Sequence, residues 1–220
     1  MIIVIDGPAG SGKSSTARAI ADKLDIEYLD SGALYRTVTL IYLQANRDKE
    51  TFFRLLNQKK ISFHYEDQKF HVAVDGQSVT DKIRSAEVTG AVSEVAALPR
   101  VRSFVNNVMR DVVLDGVYIA EGRDLGTAVF PDAELKFFMS ADIEERAKRR
   151  LKERKRANPG LTLKEVKQNI AKRDLKDSKR QADPLKKADD AIEIDTTNVT
   201  FEQQVDKICL RITEELKETE

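Results

Sequence analysis

Four groups of residues have the types and spacing to handle phosphate. The first is Gly7-Pro8-Ala9-Gly10-Ser11-Gly12-Lys13-Ser14, followed by Ser15. Glycines at this spacing let the backbone curl until several amide N–H groups converge on an anion, and a helix beginning there adds the positive end of its dipole. Lys13 supplies a point charge for the β- and γ-phosphates of a nucleotide, and the Ser14 hydroxyl is a hard oxygen ligand suited to Mg2+. The second group is Asp30-Ser31-Gly32-Ala33-Leu34-Tyr35-Arg36, with Arg36 about one helical turn after Ser31 and Gly32. The third is Glu121-Gly122-Arg123-Asp124, directly after the apolar run Val117 to Ala120. The fourth is Arg173, Asp177 and Arg180, at i, i+4 and i+7. One helix would put these three on one face, although an intrahelical salt bridge accounts for that spacing at least as well.

Such equipment suits phosphoryl transfer between two anions. The transferred group spreads negative charge over three oxygens, so the protein chiefly positions and neutralises it. A lid must also exclude water, or the phosphate is hydrolysed instead. The Gly-rich loop alone does not choose among GTPase switches, motor ATPases and small-molecule kinases. There is no Asn-Lys-x-Asp guanine reader, and arginines are dense away from the loop.

The elements that would carry these groups can be read from periodicity. Ile2 to Asp6 is a β-branched strand, the glycines form a turn, and Ser14 to Leu24 has helical spacing, so the loop sits in the strand-loop-helix context it needs. Ile26 to Asp30 reads as a second strand and Ser31 to Arg47 as a helix. Over residues 61–80, Phe63, Tyr65, Phe70, Val72 and Val74 alternate with polar neighbours, and Glu66-Asp67-Gln68-Lys69 and Asp75-Gly76-Gln77-Ser78 supply turns. This predicts a small antiparallel meander outside the main sheet. His64 and His71 fall on its solvated face with no third ligand near, which disfavours a metal site.

Helices are expected over 85–98 and 100–113, then strands at Val117 to Ala120 and Glu134 to Ser140. A basic helix follows, with eight Lys/Arg between Glu144 and Arg156 against three Glu. Ala157-Asn158-Pro159-Gly160 breaks it, and another helix runs from Leu161 towards Arg180. Asp142/Glu145 and Thr162/Glu165 both have capping-box spacing. Ala191 to Asp195 is a last strand, and the C-terminal 20 residues form an amphipathic helix. The β-α-β-α rhythm predicts an α/β protein with a parallel sheet covered by helices.

Bulk properties narrow the partners. The chain has 220 residues, with 37 Lys plus Arg against 37 Asp plus Glu, so no net charge draws it to nucleic acid or membrane. The single cysteine, Cys209, forms no internal disulfide and has the apolar spacing of a buried helix position. Met1 to Ile5 is too short an apolar run for a signal peptide or a membrane span, and a cytoplasmic protein is expected.

Taken in order, Ile5 to Ser14, Leu29 to Arg36, Glu94 to Arg102, Glu121 to Ala133 and Arg173 to Arg180 make the chain resemble the bacterial-type cytidylate kinases, a family of nucleoside monophosphate kinases. The resemblance covers nearly the whole chain. It implies a single three-layer P-loop kinase domain over 1–220, with a parallel central sheet. It further implies a monophosphate-binding lobe at 31–110 with an antiparallel insert at about 60–82, and a helical lid at 146–180. The implied reaction is Mg2+-dependent, direct in-line transfer of the γ-phosphoryl group of ATP to CMP or dCMP, giving CDP or dCDP and ADP.

Residue roles follow from the same resemblance. Gly7, Pro8, Ala9, Gly10, Ser11, Gly12, Lys13, Ser14 and Ser15 hold the ATP phosphates, with Ser14 also on the metal. Ser93, Arg102 and Asp124 read cytosine. A carboxylate accepts from its N4 amino group and an arginine donates to N3 and O2; uracil reverses that polarity, and each buried mismatch costs about 1–3 kcal/mol. Arg36, Arg123 and Arg180 clamp the acceptor phosphate, Asp177 accepts from the ribose, and Ser31 and Tyr35 complete the CMP set. Arg173 stands over the transferring phosphate, and Lys13, Arg123, Arg173 and Arg180 form the catalytic set. Arg123 and Asp124, leaving a strand in succession, are expected to point towards different parts of one ligand. Glu121 stands where relatives often have Asp, and Lys176 and Lys179 where Arg is common. A monomer acting on small nucleotides is expected, without nucleic acid or membrane.

Overall fold

A computed structural model describes the chain except Leu114, Ala157 and Glu220, with Thr219 described by its backbone. Ala157, which opens the expected break after the basic helix, therefore lies outside the described residues. The chain divides into two compact units, Met1–Glu27 with Asp115–Glu220, and Tyr28–Leu114.

In the first unit β1 (Ile2–Asp6) lies between β6 (Tyr118–Glu121) and β7 (Leu135–Ser140), parallel to both, and β7 pairs in parallel with β8 (Ile192–Asp195). A strand buried on both faces needs an unbroken apolar run, and Ile3, Val4 and Ile5 are at most 1% exposed. With β2 (Glu27–Asp30) the strand order is β2-β6-β1-β7-β8. Asp6 ends β1 and Glu121 ends β6, so both carboxylates lie at the carboxyl edge of the sheet, where open α/β sheets bind ligands.

Helix α1 (Lys13–Leu24) follows the loop and packs on β1, β6 and α8 (Phe201–Thr219). Cys209 is buried on α8 beside the core positions Val205, Ile208 and Ile212, and burial pushes its thiol pKa up. α6 (Ile143–Arg154) and α7 (Leu163–Lys179) pack together through Ala147, Val166 and Ile170. Thr162 and Glu165 form the expected reciprocal cap of α7. Asp142 does cap α6, but through the Glu144 amide at 2.7 Å, while Glu145 pairs instead with Lys148. Thr162→Ala is expected to weaken the start of α7 by about 1 kcal/mol. Faster hydrogen exchange at Glu165 and Val166 would register it; unchanged exchange would show the cap to be idle.

In the second unit α2 (Ser31–Gln44) packs against α3 (Lys49–Gln58), α4 (Ala86–Val95) and α5 (Pro99–Val112). α3 is an element the periodicity did not announce. It is a short helix capped by Asp48, which accepts from the Thr51 amide, and it buries only Phe52 and Leu56. The meander is a separate antiparallel sheet of β3 (Ile61–Glu66), β4 (Lys69–Val74) and β5 (Gln77–Ser78), in the expected place. Its dry face holds Phe70 and Val72, and His64 stacks on His71 with ring centroids 4.9 Å apart. Among the described residues no helix is long and apolar enough to cross a membrane.

Candidate active site

The loop from Gly7 to Gly12 turns the chain from β1 into α1. Gly7 has φ 146°, and a Cβ there would collide with the carbonyl oxygen of Met139. Gly12 caps α1 in the left-handed region at φ 98°, again a conformation that favours glycine. Lys13 is buried, and its ammonium donates to Pro8 O at 2.8 Å and to Ser11 Oγ at 3.4 Å. Burial, and then the nearby Arg123 guanidinium, pull its pKa down to about 7 from 10.5, with Arg173 acting in the same direction and Glu121 and Asp6 against. Two guanidiniums thus add positive charge to the surroundings of the loop lysine. Positive charges at one point repel, and an added polyanion would relieve the repulsion.

Ser14 donates its hydroxyl to Glu121 Oε1 at 2.7 Å, which joins the first turn of α1 to the end of β6. Asp6 is buried, and its carboxylate accepts from the amides of Leu125 at 3.0 Å and Gly126 at 2.8 Å. Burial pushes its pKa up to about 6, opposed by those two hydrogen bonds.

Beyond β6, Arg123 and Asp124 were expected to point to different parts of one ligand; in the structure each meets a protein side chain at or just past the end of α7. Arg123 Nε donates to Asp177 Oδ2 at 3.1 Å, and Arg180 Nη2 donates to Asp124 Oδ1 at 2.6 Å. Arg173 stands 4.0 Å from Asp177. The i, i+4 spacing therefore does give an intrahelical pair, but Asp177 is shared with Arg123. Arg180 lies just past the end of α7 in extended conformation, not on the helix face its spacing suggested.

Sequence reasoning missed a clasp around Ala9. Arg146 Nη1 donates to Ala9 O at 3.0 Å and to Asp174, and Asp174 Oδ1 accepts from the Ala9 amide at 3.0 Å. Arg149 likewise turns inward, onto Thr196. Two arginines of the basic helix are thus committed to the protein's own backbone, which weakens any reading of that helix as a nucleic-acid surface. The signal available was slight: Arg146 is nearest the helix start, on the side of the apolar Ile143, Ala147 and Ile170 contacts.

The second unit holds the rest of the expected CMP set. Asp30 caps α2 through the Ala33 amide at 2.7 Å and accepts from Arg36 at 3.3 Å, with Arg84 3.8 Å away. The Arg36 Nε is buried without a hydrogen-bond partner, a donor that an anionic oxygen would satisfy. Ser31 is buried at the first position of α2, and Ser93 is half-buried on α4. Arg102 is 2% exposed, donates to Ala96 O at 3.3 Å and lies 5.4 Å from the Tyr35 ring centroid. The Tyr35 hydroxyl donates to Asn106 at 3.4 Å, a buried residue the sequence did not single out.

A parallel α/β sheet whose edge carries a phosphate-cradling loop, with Arg123 and Arg173 gathered at Asp177, defines a P-loop kinase. The cytidylate kinase family profile matches residues 3–214, and the chain belongs to that family. It is 46% identical to a cytidylate kinase of Streptococcus agalactiae serotype III, over 91% of this chain and 90% of that one. It is 41% identical to one of Carboxydothermus hydrogenoformans, over 94% and 95%. A solved structure of an uncharacterized protein from Eubacterium ventriosum superposes with a TM-score of 0.55 at 16% identity, covering 97% of this chain and 98% of that one. That likeness concerns the fold alone.

Proposed function

We propose that this kinase transfers the γ-phosphoryl group of ATP to CMP or dCMP by direct in-line attack, with Mg2+ accompanying ATP. The observation that carries the reading is the buried loop lysine Lys13, held by Pro8 O at 2.8 Å, together with Arg123 and Arg173, which meet at Asp177 and both act to lower the lysine pKa. Such preorganised positive charge favours the charge-dispersed transition state without needing a nucleophile from the protein. The attacking phosphate oxygen is already an anion, so no strong general base is required. The loop residues 7–15 receive the ATP phosphates, and Arg173 faces the transferring group.

For the acceptor, Arg36, Arg123 and Arg180 take the phosphate and Asp177 the ribose. Ser93, Arg102 and Asp124 read cytosine, and Ser31 and Tyr35 line the same substrate. On this reading Tyr28–Leu114 corresponds to the monophosphate-binding lobe expected at 31–110, and the segment 146–180 acts as the lid. The donor set fits Mg2+: Ser14 and Glu121 offer hard oxygens 2.7 Å apart. Among the described residues no three His, Cys, Asp or Glu side chains could hold a metal by themselves, so phosphate oxygens and water would complete the shell. Bound there, Mg2+ would supply charge neutralisation to the ATP phosphates. We place the protein in the cytoplasm as a monomer acting on free nucleotides.

A coupled assay of ADP release across CMP, dCMP, UMP and AMP tests the reading. CMP and dCMP should exceed UMP by roughly a hundredfold, about two mismatched buried polar contacts. Asp124→Ala should lose most of that preference. Faster turnover of UMP or AMP by the unaltered enzyme would overturn the assignment.

A further inference from the structure

The turn that carries Arg123 and Asp124 has its own problem of unsatisfied backbone. After Asp124 the chain makes one π-helical turn, Leu125–Val129, and the first amides of any helical turn have no partner within it. The amides of Thr127 and Ala128 bond to Asp124 O at 3.3 Å and 2.9 Å. Those of Leu125 and Gly126 are buried, and their acceptor is the carboxylate of Asp6, one oxygen to each, from 119 and 120 positions back in the chain. Asp6 therefore does from a neighbouring strand what an N-cap residue does locally. The Asp124 side chain makes no cap hydrogen bond to the turn, and its Oδ1 accepts instead from Arg180 Nη2 at 2.6 Å.

We infer that Asp6 is a positioning residue for cytosine selectivity, holding the Leu125 and Gly126 amides so that Asp124 presents its carboxylate to the base. The inference rests on the proposed role of Asp124 as base reader. Three features fix the geometry. β1 is the buried strand between β6 and β7, so Asp6 has little freedom to shift. Gly122 N donates to Ile5 O at 3.0 Å, extending the pairing of β6 with β1 up to the start of the turn. A Cβ at Gly126 would come 3.2 Å from Val4 Cγ2, so the turn already lies against β1. Two oxygens meeting two adjacent amides then hold it against rotation as well as translation.

Asp6→Asn is the sharpest test because it keeps the shape and reverses one contact. An amide NH2 group would face a backbone N–H, and one buried donor would lose its acceptor. The expected result is a fall in the CMP-to-UMP ratio of kcat/KM by about 5–30-fold, the factor that a change of one or two kcal/mol represents. The loss should appear mainly in the KM for CMP. The ratio does not depend on how much protein is folded, so a purely structural role would lower both substrates together and leave it unmoved. An unchanged ratio, or a change confined to the KM for ATP, overturns the inference.

Asp124→Ala is measured alongside. If it leaves the ratio intact, the base-reader assignment fails; if it collapses the ratio while Asp6→Asn does not, only the role of Asp6 fails. Should Asp6→Asn not fold, hydrogen exchange on the unaltered protein decides. The Leu125 and Gly126 amides should be as protected as those of β1, and rapid exchange there overturns the inference.

Discussion

Replacing Lys13 by Met is expected to abolish most activity while leaving the nucleotide-free protein more stable. Removal of one preorganised charge at a phosphoryl-transfer centre typically costs on the order of 10²–10³-fold in kcat. Stability moves the other way because folding pulls the Lys13 pKa from 10.5 down to about 7. Between those values the unfolded chain holds a proton that the folded chain has released, so stability rises with pH across that window. The cost of Lys13 is therefore largest below about pH 7 and fades as pH approaches 10.5. Thermal denaturation should show Lys13→Met several degrees above the unaltered protein at pH 6, at roughly the few degrees per kcal/mol usual for this size. The gap should narrow steadily towards pH 10, and a pH-independent gap would count against burial as the cause. The same linkage makes ATP binding at pH 8 a proton-uptake reaction, because phosphate restores the charged form. Calorimetry in buffers of different ionisation enthalpy should detect it.

Breaking the Arg180–Asp124 pair is expected to have the second largest effect. Its side chains are 8% and 5% exposed, so the pair is desolvated. Losing one partner of a buried pair usually costs about 3–5 kcal/mol, because the remaining charge stays buried. Arg180→Met should thus be markedly destabilising, and Asp124→Asn in that background should recover part of the loss. Urea unfolding of the two single variants, the double variant and the parent gives the coupling directly. Additivity within about 0.5 kcal/mol would mean the two side chains do not work as a pair. Arg180→Lys should rescue stability better than CMP turnover, since lysine keeps the charge but not the planar fork.

The alternation of strands and helices was legible because burial imposes it. Val4 and Ile119 lie in apolar runs since parallel interior strands have no wet face. The phosphate loop was legible because only glycines fit φ values such as those of Gly7 and Gly12. What stayed hidden was pairing across distance. Asp30 read as the end of a strand, with no sign that it would cap α2 and hold Arg36 and Arg84. Nothing in their spacing singled out Arg146 or Asp174. Helix spacing tells which face a charge is on, but not what that face meets. α3 escaped because only Phe52 and Leu56 are buried in its ten residues, too few to set a period.

The clasp on Ala9 changes how portable the phosphate-binding motif is. By its letters, the eight-residue stretch from Gly7 to Ser14 is a self-contained module that could be grafted onto any strand-helix junction. Yet the peptide at Ala9 is gripped at its N–H by a side chain 165 positions along the chain and at its C=O by one 137 positions along. The motif is local in spelling and global in shape. A graft that carried β1, the loop and α1 without the Arg146–Asp174 pair would bring the right sequence and leave its third residue to find a new posture.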